Sequence, residues 1–364
     1  MQYGPSPRNL CVLCVSLVKR GSKHAPQRRR VHRGYTEKKL RTNPLPRGTN
    51  LIPLTCGFAP GHLPILMIKT ALTVCLLLFA LTSTITAQTS ASATSSLDQQ
   101  IRNKIASFKG HVSLYAKNLD TGQTYTLNGD ERVRTASTIK IAVMVEAFAR
   151  VAEGRAKWTD EVVLTKEKKY GGSGILFELS DGLRLTLRDA VNLMMLISDN
   201  TATNLVLEVL TTDAVNARME SLGFNQIKIM RKVGSGGESK AGKDPENKRF
   251  GLGMATPHEM VLLLEKLERG EVISSAVSKE MIDLMKREQD RYAIGRSLWD
   301  VPMASKYGAL DSLRSSIGII YSKKGRIAMA ISCDDMPEVM WSVDNPAYLL
   351  MSELSVMLVN GLTN

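Results

Sequence analysis

The chain is poor in the residues on which metal-dependent and histidine-based hydrolases rely. Of its 364 residues only five are cysteine and five histidine, and three of each (Cys11, Cys14, Cys56, His24, His32, His62) lie within the first 66 positions. Beyond residue 87 there remain one cysteine, Cys333, and two histidines, His111 and His258. A single cysteine forms no internal disulfide, and at the end of an apolar strand it reads as a small buried side chain. So few histidines leave little for a metal site or a Ser-His-Asp triad. No metal and no cofactor are expected. Cys11-x-x-Cys14 is not followed by a second pair at zinc-ligand spacing.

Charge of one sign is also scarce where it first seems abundant. The formal net charge is +13, but residues 1–66 hold 12 Lys/Arg against one acid, Glu37, whereas the remaining 298 residues hold 36 Lys/Arg against 34 Asp/Glu. The folded part is close to neutral, so a nucleic-acid-binding surface is excluded. Eight of the 13 prolines fall in the same leader. From Met67 the chain reads Met-Ile-Lys, an apolar run from Ala71 to Leu81, then small polar residues ending Thr86-Ala87-Gln88. That is the order of a secretory signal peptide with cleavage after Ala87, and the run is too short for a membrane span. Because signal peptides act at an N-terminus, translation is expected to start at Met67, with residues 1–66 a basic, proline-rich leader outside the mature protein. The competing readings are a basic cytoplasmic tail on a signal anchor and a Cys11/Cys14 metal or redox site. Export to the periplasm or the extracellular space follows from the signal reading.

Residues 88–97 read as a flexible, polar lead-in, and residues 98–364 as one catalytic unit without repeats. Val112–Lys117 and Thr124–Leu127 around Asp120-Thr121-Gly122 predict a hairpin, and Ile317–Tyr321 and Arg326–Ser332 around Lys323-Lys324-Gly325 predict another. Between them nearly everything reads as helix. Thr186 and Asp189 form a capping box before Ala190, Leu193, Met194 and Ile197, and Thr256-Pro257 opens a helix that Gly270 stops. A last helix covers about Pro346 to Val359. Strands at both ends with helices between them predict an α+β fold: one antiparallel sheet built from both chain ends, flanked by helices, plus a helical subdomain.

Without a histidine, a hydrolytic serine needs another base, and a desolvated lysine is the usual substitute. Ser137-Thr-Ile-Lys140 supplies one at the start of a nearly all-apolar helix, where burial lowers the lysine pKa and i to i+3 spacing sets its amine one turn from the Ser137 hydroxyl. The motif alone says little, since Ser16 to Lys19 repeats it in the leader. Two further elements follow. Ser198-Asp199-Asn200 comes directly after an apolar helix, where its residues could also serve as a helix cap, and Lys306-Tyr307-Gly308-Ala309 precedes the last hairpin. Lys169-Tyr170-Gly171 is a second copy of that last element in the wrong order.

Order and intervals (61 residues from Ser137 to Ser198, 108 from Ser198 to Lys306) resemble those of active-site-serine penicillin-recognising enzymes. The flanks Tyr170-Gly-Gly-Ser-Gly-Ile-Leu176 and Leu187 to Leu205 resemble class A β-lactamases in particular, and the resemblance runs from about Leu97 to Asn364. It implies that Ser137 is acylated, that Lys140 is its base or relay, and that Ser198 passes the proton to the leaving nitrogen. It further implies that Asn200 holds the substrate's side-chain amide, that Lys306 offers charge to the substrate carboxylate, and that the N–H groups of Ser137 and Ala309, beside Gly308, form the oxyanion hole. Tyr170 resembles the aromatic at the cleft mouth.

The pattern breaks twice. Tyr307 stands where the family has a small hydroxyl residue, so substrate choice is expected to differ. The family's deacylating glutamate sits in an Arg-x-Glu-x-x-Leu-Asn loop, and matching Ser221-Leu-Gly-Phe224 to the family puts Arg231 on the arginine and Val233 on the glutamate. Glu238 and Glu246, in the Gly- and charge-rich segment 233–249, are the remaining candidates for activating water. The implied function is an exported serine β-lactamase-like hydrolase, monomeric, acting on a small-molecule β-lactam or a cell-wall peptide, with no nucleic acid and no obligate protein partner. The alternatives are a D,D-peptidase or other slow acyl-transferring, penicillin-binding enzyme, and a non-catalytic sensing module for cell-wall peptides or β-lactams. Mass spectrometry of the exported protein's N-terminus is expected to begin at Gln88; recovery of Arg28–Arg30 in the mature chain would contradict the signal reading.

Overall fold

The structure is a computed structural model, and residues 96–362 are described. The basic leader with Cys11 and Cys14, the signal-like segment with its cleavage point after Ala87, and most of the polar lead-in lie outside the described residues. The lead-in ends earlier than its composition suggests. Residues 96–105 form a helix, α1, because Leu97 and Ile101 are one turn apart and both are buried.

The main sheet joins the two chain ends as expected. Strands β1 (His111–Asn118) and β2 (Thr124–Leu127) pair with the C-terminal strands β8 (Met303–Leu310), β9 (Leu313–Ser322) and β10 (Gly325–Asp334) in the order β2-β1-β10-β9-β8, every pair antiparallel. The register between β1 and β10 runs from His111 opposite Asp334 to Asn118 opposite Ile327. Successive strand residues point to opposite faces, and here both faces are apolar. Leu114, Ala116, Ile320, Ile327, Met329 and Ile331 meet Leu97 and Ile101 of α1 and Leu354 and Leu358 of the closing helix α9 (Pro346–Gly361). Ala328, Ala330, Ile317 and Ile319 face the opposite core, with α7 (Pro257–Glu268) lying across β1 and β10. Each fully buried apolar side chain contributes about 1.5–3 kcal/mol, so the pairing of the two ends rests on two cores.

The middle of the chain is less purely helical than its periodicity suggests. Two small sheets interrupt it: β3 (Val133–Arg134), β6 (Lys228–Ile229) and β7 (Gly253–Ala255) form one, and β4 (Glu161–Val163) with β5 (Arg184–Thr186) the other. Strands of two or three residues carry too few side chains to show an alternation. The helical block itself is built around α2 (Lys140–Ala152), which contacts α3 (Leu187–Leu196), α4 (Asn200–Leu210), α5 (Thr212–Ser221) and α8 (Ser275–Met285). Every residue of α2 from Lys140 to Ala149 is buried, the pattern of a helix surrounded on all sides. The capping box at the start of α3 forms as read, with Thr186 and Asp189 satisfying each other's backbone N–H. The long segment after Val233 holds only a four-residue helix, α6 (Lys240–Lys243), and a 3-10 turn over Pro245–Phe250.

Candidate active site

Three pieces of chain meet where the helical block abuts the edge strand β8. The 3-10 turn Ala136–Ile139 leads into α2 and carries Ser137; the tight connection between α3 and α4 carries Ser198 to Asn200; β8 carries Lys306 to Ala309. Ala136, Ser137, Ser198, Asn200 and Tyr307 to Ala309 of these pieces line a cleft of about 290 Å³ together with Tyr170, Gly171 to Ser173, Arg231, Val233, Gly234, Gly251, Leu252, Leu310 and Trp341. Two non-glycine residues next to its functional groups are forced into the left-handed region, Ala136 with φ 46° and Ser198 with φ 55°. Such conformations cost about 1–3 kcal/mol each and are kept only where surrounding structure imposes them. The twist at Ser198 turns both its carbonyl and its hydroxyl toward one amine.

That amine is Lys140 Nζ, which is wholly buried. It lies 2.7 Å from Ser198 O, 3.1 Å from Ser198 Oγ and 3.0 Å from Asn200 Oδ1. Burial pushes its pKa well below the ordinary lysine value; the nearby Lys306 ammonium adds to this, and Asp199 and Glu288 oppose it only in part. A neutral amine keeps two N–H donors and gains a lone pair, so its third contact becomes an acceptor for the Ser198 hydroxyl proton. Ser137 Oγ is not among the hydrogen-bond partners of Lys140 and stands partly exposed in the cleft, one turn away.

Asp199 serves the scaffold. Its carboxylate caps α4 at Ala202 N and accepts from Ile175 N and Leu176 N at 2.7–2.9 Å. The cap reading and the site reading of Ser198-Asp199-Asn200 are thus both realised, by different residues of the triplet. Asn200 is held at both ends, by Lys140 and by a 2.9 Å bond from Nδ2 to Gly171 O, which leaves its second amide N–H free.

Gly308 brings β8 against the 3-10 turn. A Cβ there would stand 2.6 Å from Ser137 N and 2.9 Å from Thr135 O, so only glycine permits the approach. Tyr307 N–H points away from β9, to Glu288 Oε1 at 3.0 Å. By the two-residue alternation of a strand, Ala309 N–H leaves the same free edge. It joins the N–H of Ser137, an early residue of a turn whose first donors have no acceptor within the turn.

One side chain of this strand lies elsewhere than expected. Lys306 does not line the cleft: its Nζ is fully buried, 2.6 Å from Glu288 Oε1, while Ser305 Oγ donates to the other carboxylate oxygen at 2.8 Å. The substrate-facing charge assigned to it is therefore neutralised by an inward pair. Tyr307 does line the cleft; its ring lies 4.8 Å from Lys306 Nζ, its hydroxyl bonds Asp290, and burial pushes its pKa up. The Asp290 carboxyl is itself raised by burial and by Glu288.

Glu238 and Glu246 also lie outside the cleft. Glu238 pairs with Lys248 at 2.9 Å on the surface, and Glu246 is exposed at the start of the 3-10 turn. Val233 does line the cleft, clamped by Asn204, whose side chain donates to Val233 O at 3.1 Å and accepts from its N at 2.9 Å. No carboxylate appears among the lining residues. Tyr170 stands at the mouth, 44 % exposed, with Gly234 closed so tightly on its ring that a Cβ would overlap it. His111 and His258 pair with Glu131 and Asp130 and line other grooves.

Sequence reasoning missed Glu288 and Trp341. A lysine in an apolar strand signals that an acid must lie nearby, but not which one.

A buried lysine amine between hydroxyl and amide oxygens, beside a second serine and two backbone N–H groups, is equipment for moving a proton off a hydroxyl and holding a developing oxyanion. A family model described as the β-lactamase enzyme family matches residues 96–362, and the chain belongs to that family. Among curated proteins it is 24% identical over 233 residues to β-lactamase AER-1 of Aeromonas hydrophila (63% of this chain, 74% of that one) and 23% identical over 223 residues to β-lactamase CARB-4 of Pseudomonas aeruginosa (60% and 74%). Among solved structures it resembles a β-lactamase from Sphaerobacter thermophilus, with TM-score 0.63 and 28% identity over 74% of this chain and 97% of that one. It also resembles PBP-A, with TM-score 0.64 and 23% identity over 73% and 95%.

Replacing Glu288 by glutamine leaves the Lys306 ammonium buried without its anion. This is expected to cost about 3–5 kcal/mol, as breaking a buried pair from one side does, read from the denaturant midpoint. A loss under about 1 kcal/mol would mean that the pair carries little of the site's architecture.

Proposed function

We infer that this protein is an exported serine hydrolase that opens a β-lactam amide by acylating Ser137. The observation that carries the reading is Lys140, a buried amine held by Ser198 and Asn200 in the same cleft as Ser137. The neutral amine takes the Ser137 proton, directly or through Ser198, and Oγ attacks the carbonyl carbon. The oxyanion forms at the N–H groups of Ser137 and Ala309. As it collapses, the C–N bond breaks and Ser198 delivers a proton to the nitrogen, replaced from Lys140. Hydrolysis of the resulting ester then needs an activated water.

A second reading concerns that last step. Val233 occupies the wall where the resemblance puts a glutamate, and no carboxylate lines the cleft. Both observations favour slow release, the behaviour of a penicillin-binding enzyme. Cell-wall peptides are then the alternative acyl donors.

A time course with a chromogenic cephalosporin, using protein that begins at Gln88, is expected to give a burst of about one equivalent followed by a slower phase, both absent in Ser137→Ala. Ring opening that survives Ser137→Ala would overturn the nucleophile. Sustained turnover without a burst would overturn the slow-release reading.

A further inference from the structure

Two of the chain's three tryptophans are more than half exposed, and one of them, Trp341, lines the cleft. An indole left in the open is scarce on a folded surface and is a frequent anchor at binding sites. Trp341 is 64 % exposed although one of its faces is covered: the Arg314 guanidinium lies 4.8 Å from the ring centre. The exposed area is therefore the other face and the rim of the indole. Arg314 is itself wholly buried and held in place. Its Nη1 donates to Leu310 O and, at 2.7 Å, to Leu313 O, and its Nη2 donates to Met340 O, the carbonyl just before Trp341. The ring thus stands on a fixed base at the C-terminal end of β8, with two side-chain torsions as its own freedom.

Its place along β8 selects the part of a substrate it meets. The proton-moving groups gather at the Lys306 end of the cleft, since Lys306 is close enough to lower the pKa of Lys140, and Lys140 holds Ser198. Ala309, whose N–H belongs to the oxyanion hole, follows three residues on, roughly 10 Å along a strand. Leu310, and the indole tied to it through Arg314, come after. Ser198 serves the leaving nitrogen, so the indole meets the acyl side of the scissile bond. Tyr170, bonded to Thr201 of α4, lines the cleft from the helical block. The mouth carries one exposed aromatic on the helical side and one on the sheet side.

We propose that Trp341 is a specificity residue whose open face stacks on an uncharged planar ring at the outer end of the substrate's acyl side chain. The inference rests on the reading of the cleft as an acyl-transfer site. The cation behind the indole draws on its π electrons, so the open face suits a neutral ring better than a second cation. A ring buries more area on the indole than a short alkyl group and adds the energy of offset stacking.

The test compares benzylpenicillin with the analogue carrying ethyl in place of benzyl, in native protein, Trp341→Ala, Trp341→Phe and Trp299→Ala, each checked by its melting profile. Trp299 is the control: it is 63 % exposed and likewise set against an arginine, Arg291 at 5.7 Å, but it does not line the cleft. The first readout is the second-order rate of Ser137 acylation by intact mass. The second is equilibrium binding to the same proteins carrying Ser137→Ala, which needs no chemistry. Native protein is expected to favour benzylpenicillin about 5- to 30-fold, and Trp341→Ala to lose most of that preference while staying within about threefold of native on the ethyl analogue. Trp341→Phe is expected to restore much of the preference, and Trp299→Ala to leave it unchanged. Equal losses on both ligands would assign Trp341 to shielding Arg314 and overturn the proposal. So would a native protein without a preference, or a preference that survives Trp341→Ala. If neither penicillin acylates Ser137, the acyl-transfer reading falls and binding alone decides: a ring preference lost in Trp341→Ala supports the stacking site, and its absence overturns it.

Discussion

The site depends on two lysines buried within reach of each other's field. Lys140 begins a helix that is surrounded on all sides, and Lys306 sits in an edge strand against the same wall; neither is exposed to water. Two ammonium groups so placed cannot both remain charged without compensation. The structure divides the burden unequally. Lys306 has Glu288, which is also tied to Ser305 and to the backbone of Tyr307. Lys140 has only neutral oxygens, those of Ser198 and Asn200. The pair keeps Lys306 as the charged partner, and Lys306 in turn disfavours a proton on Lys140. A buried ion pair is seldom a net source of stability; here its consequence is a neutral amine beside a nucleophile.

Much of the surrounding fold serves that arrangement. The left-handed backbone at Ser198 aims two oxygens at one nitrogen, while Asp199 anchors the strained turn through three backbone N–H groups. Gly308 lets the edge strand approach the Ser137 turn until two N–H groups share one space. The sheet that presents this strand is closed by pairing the first and last strands of the domain, and one core joins its inner face to the helical block, so the site's two halves are held together by shared packing.

Local pattern disclosed much of this. The apolar run after Ser137 betrayed a lysine bound for the core, the alternations at both chain ends betrayed the strands that pair, and the capping box at Thr186 formed where its spacing put it. Pairings between distant segments were not legible. Glu288 follows α8 with no motif of its own, and only the folded chain sets it against Lys306. Glu238 and Glu246 were attractive as acids in the right stretch of sequence, but that stretch spends them on the surface. The very short strands of the two minor sheets left no periodicity to read.

The central claim is that Lys140 is the neutral member of the pair at working pH. Side-chain NMR of protein labelled at the lysine ε-carbons, with the Lys140 signal assigned by its loss in Lys140→Arg, reads this directly. The free amine is the base, so proton abstraction gains as pH rises through the folded pKa. The unfolded chain also holds an extra proton between that value and about 10.4, so stability rises with pH across the same window. The account predicts a Lys140 transition well below that of an ordinary lysine. A Lys140 that titrates at or above about 10.4 would contradict it.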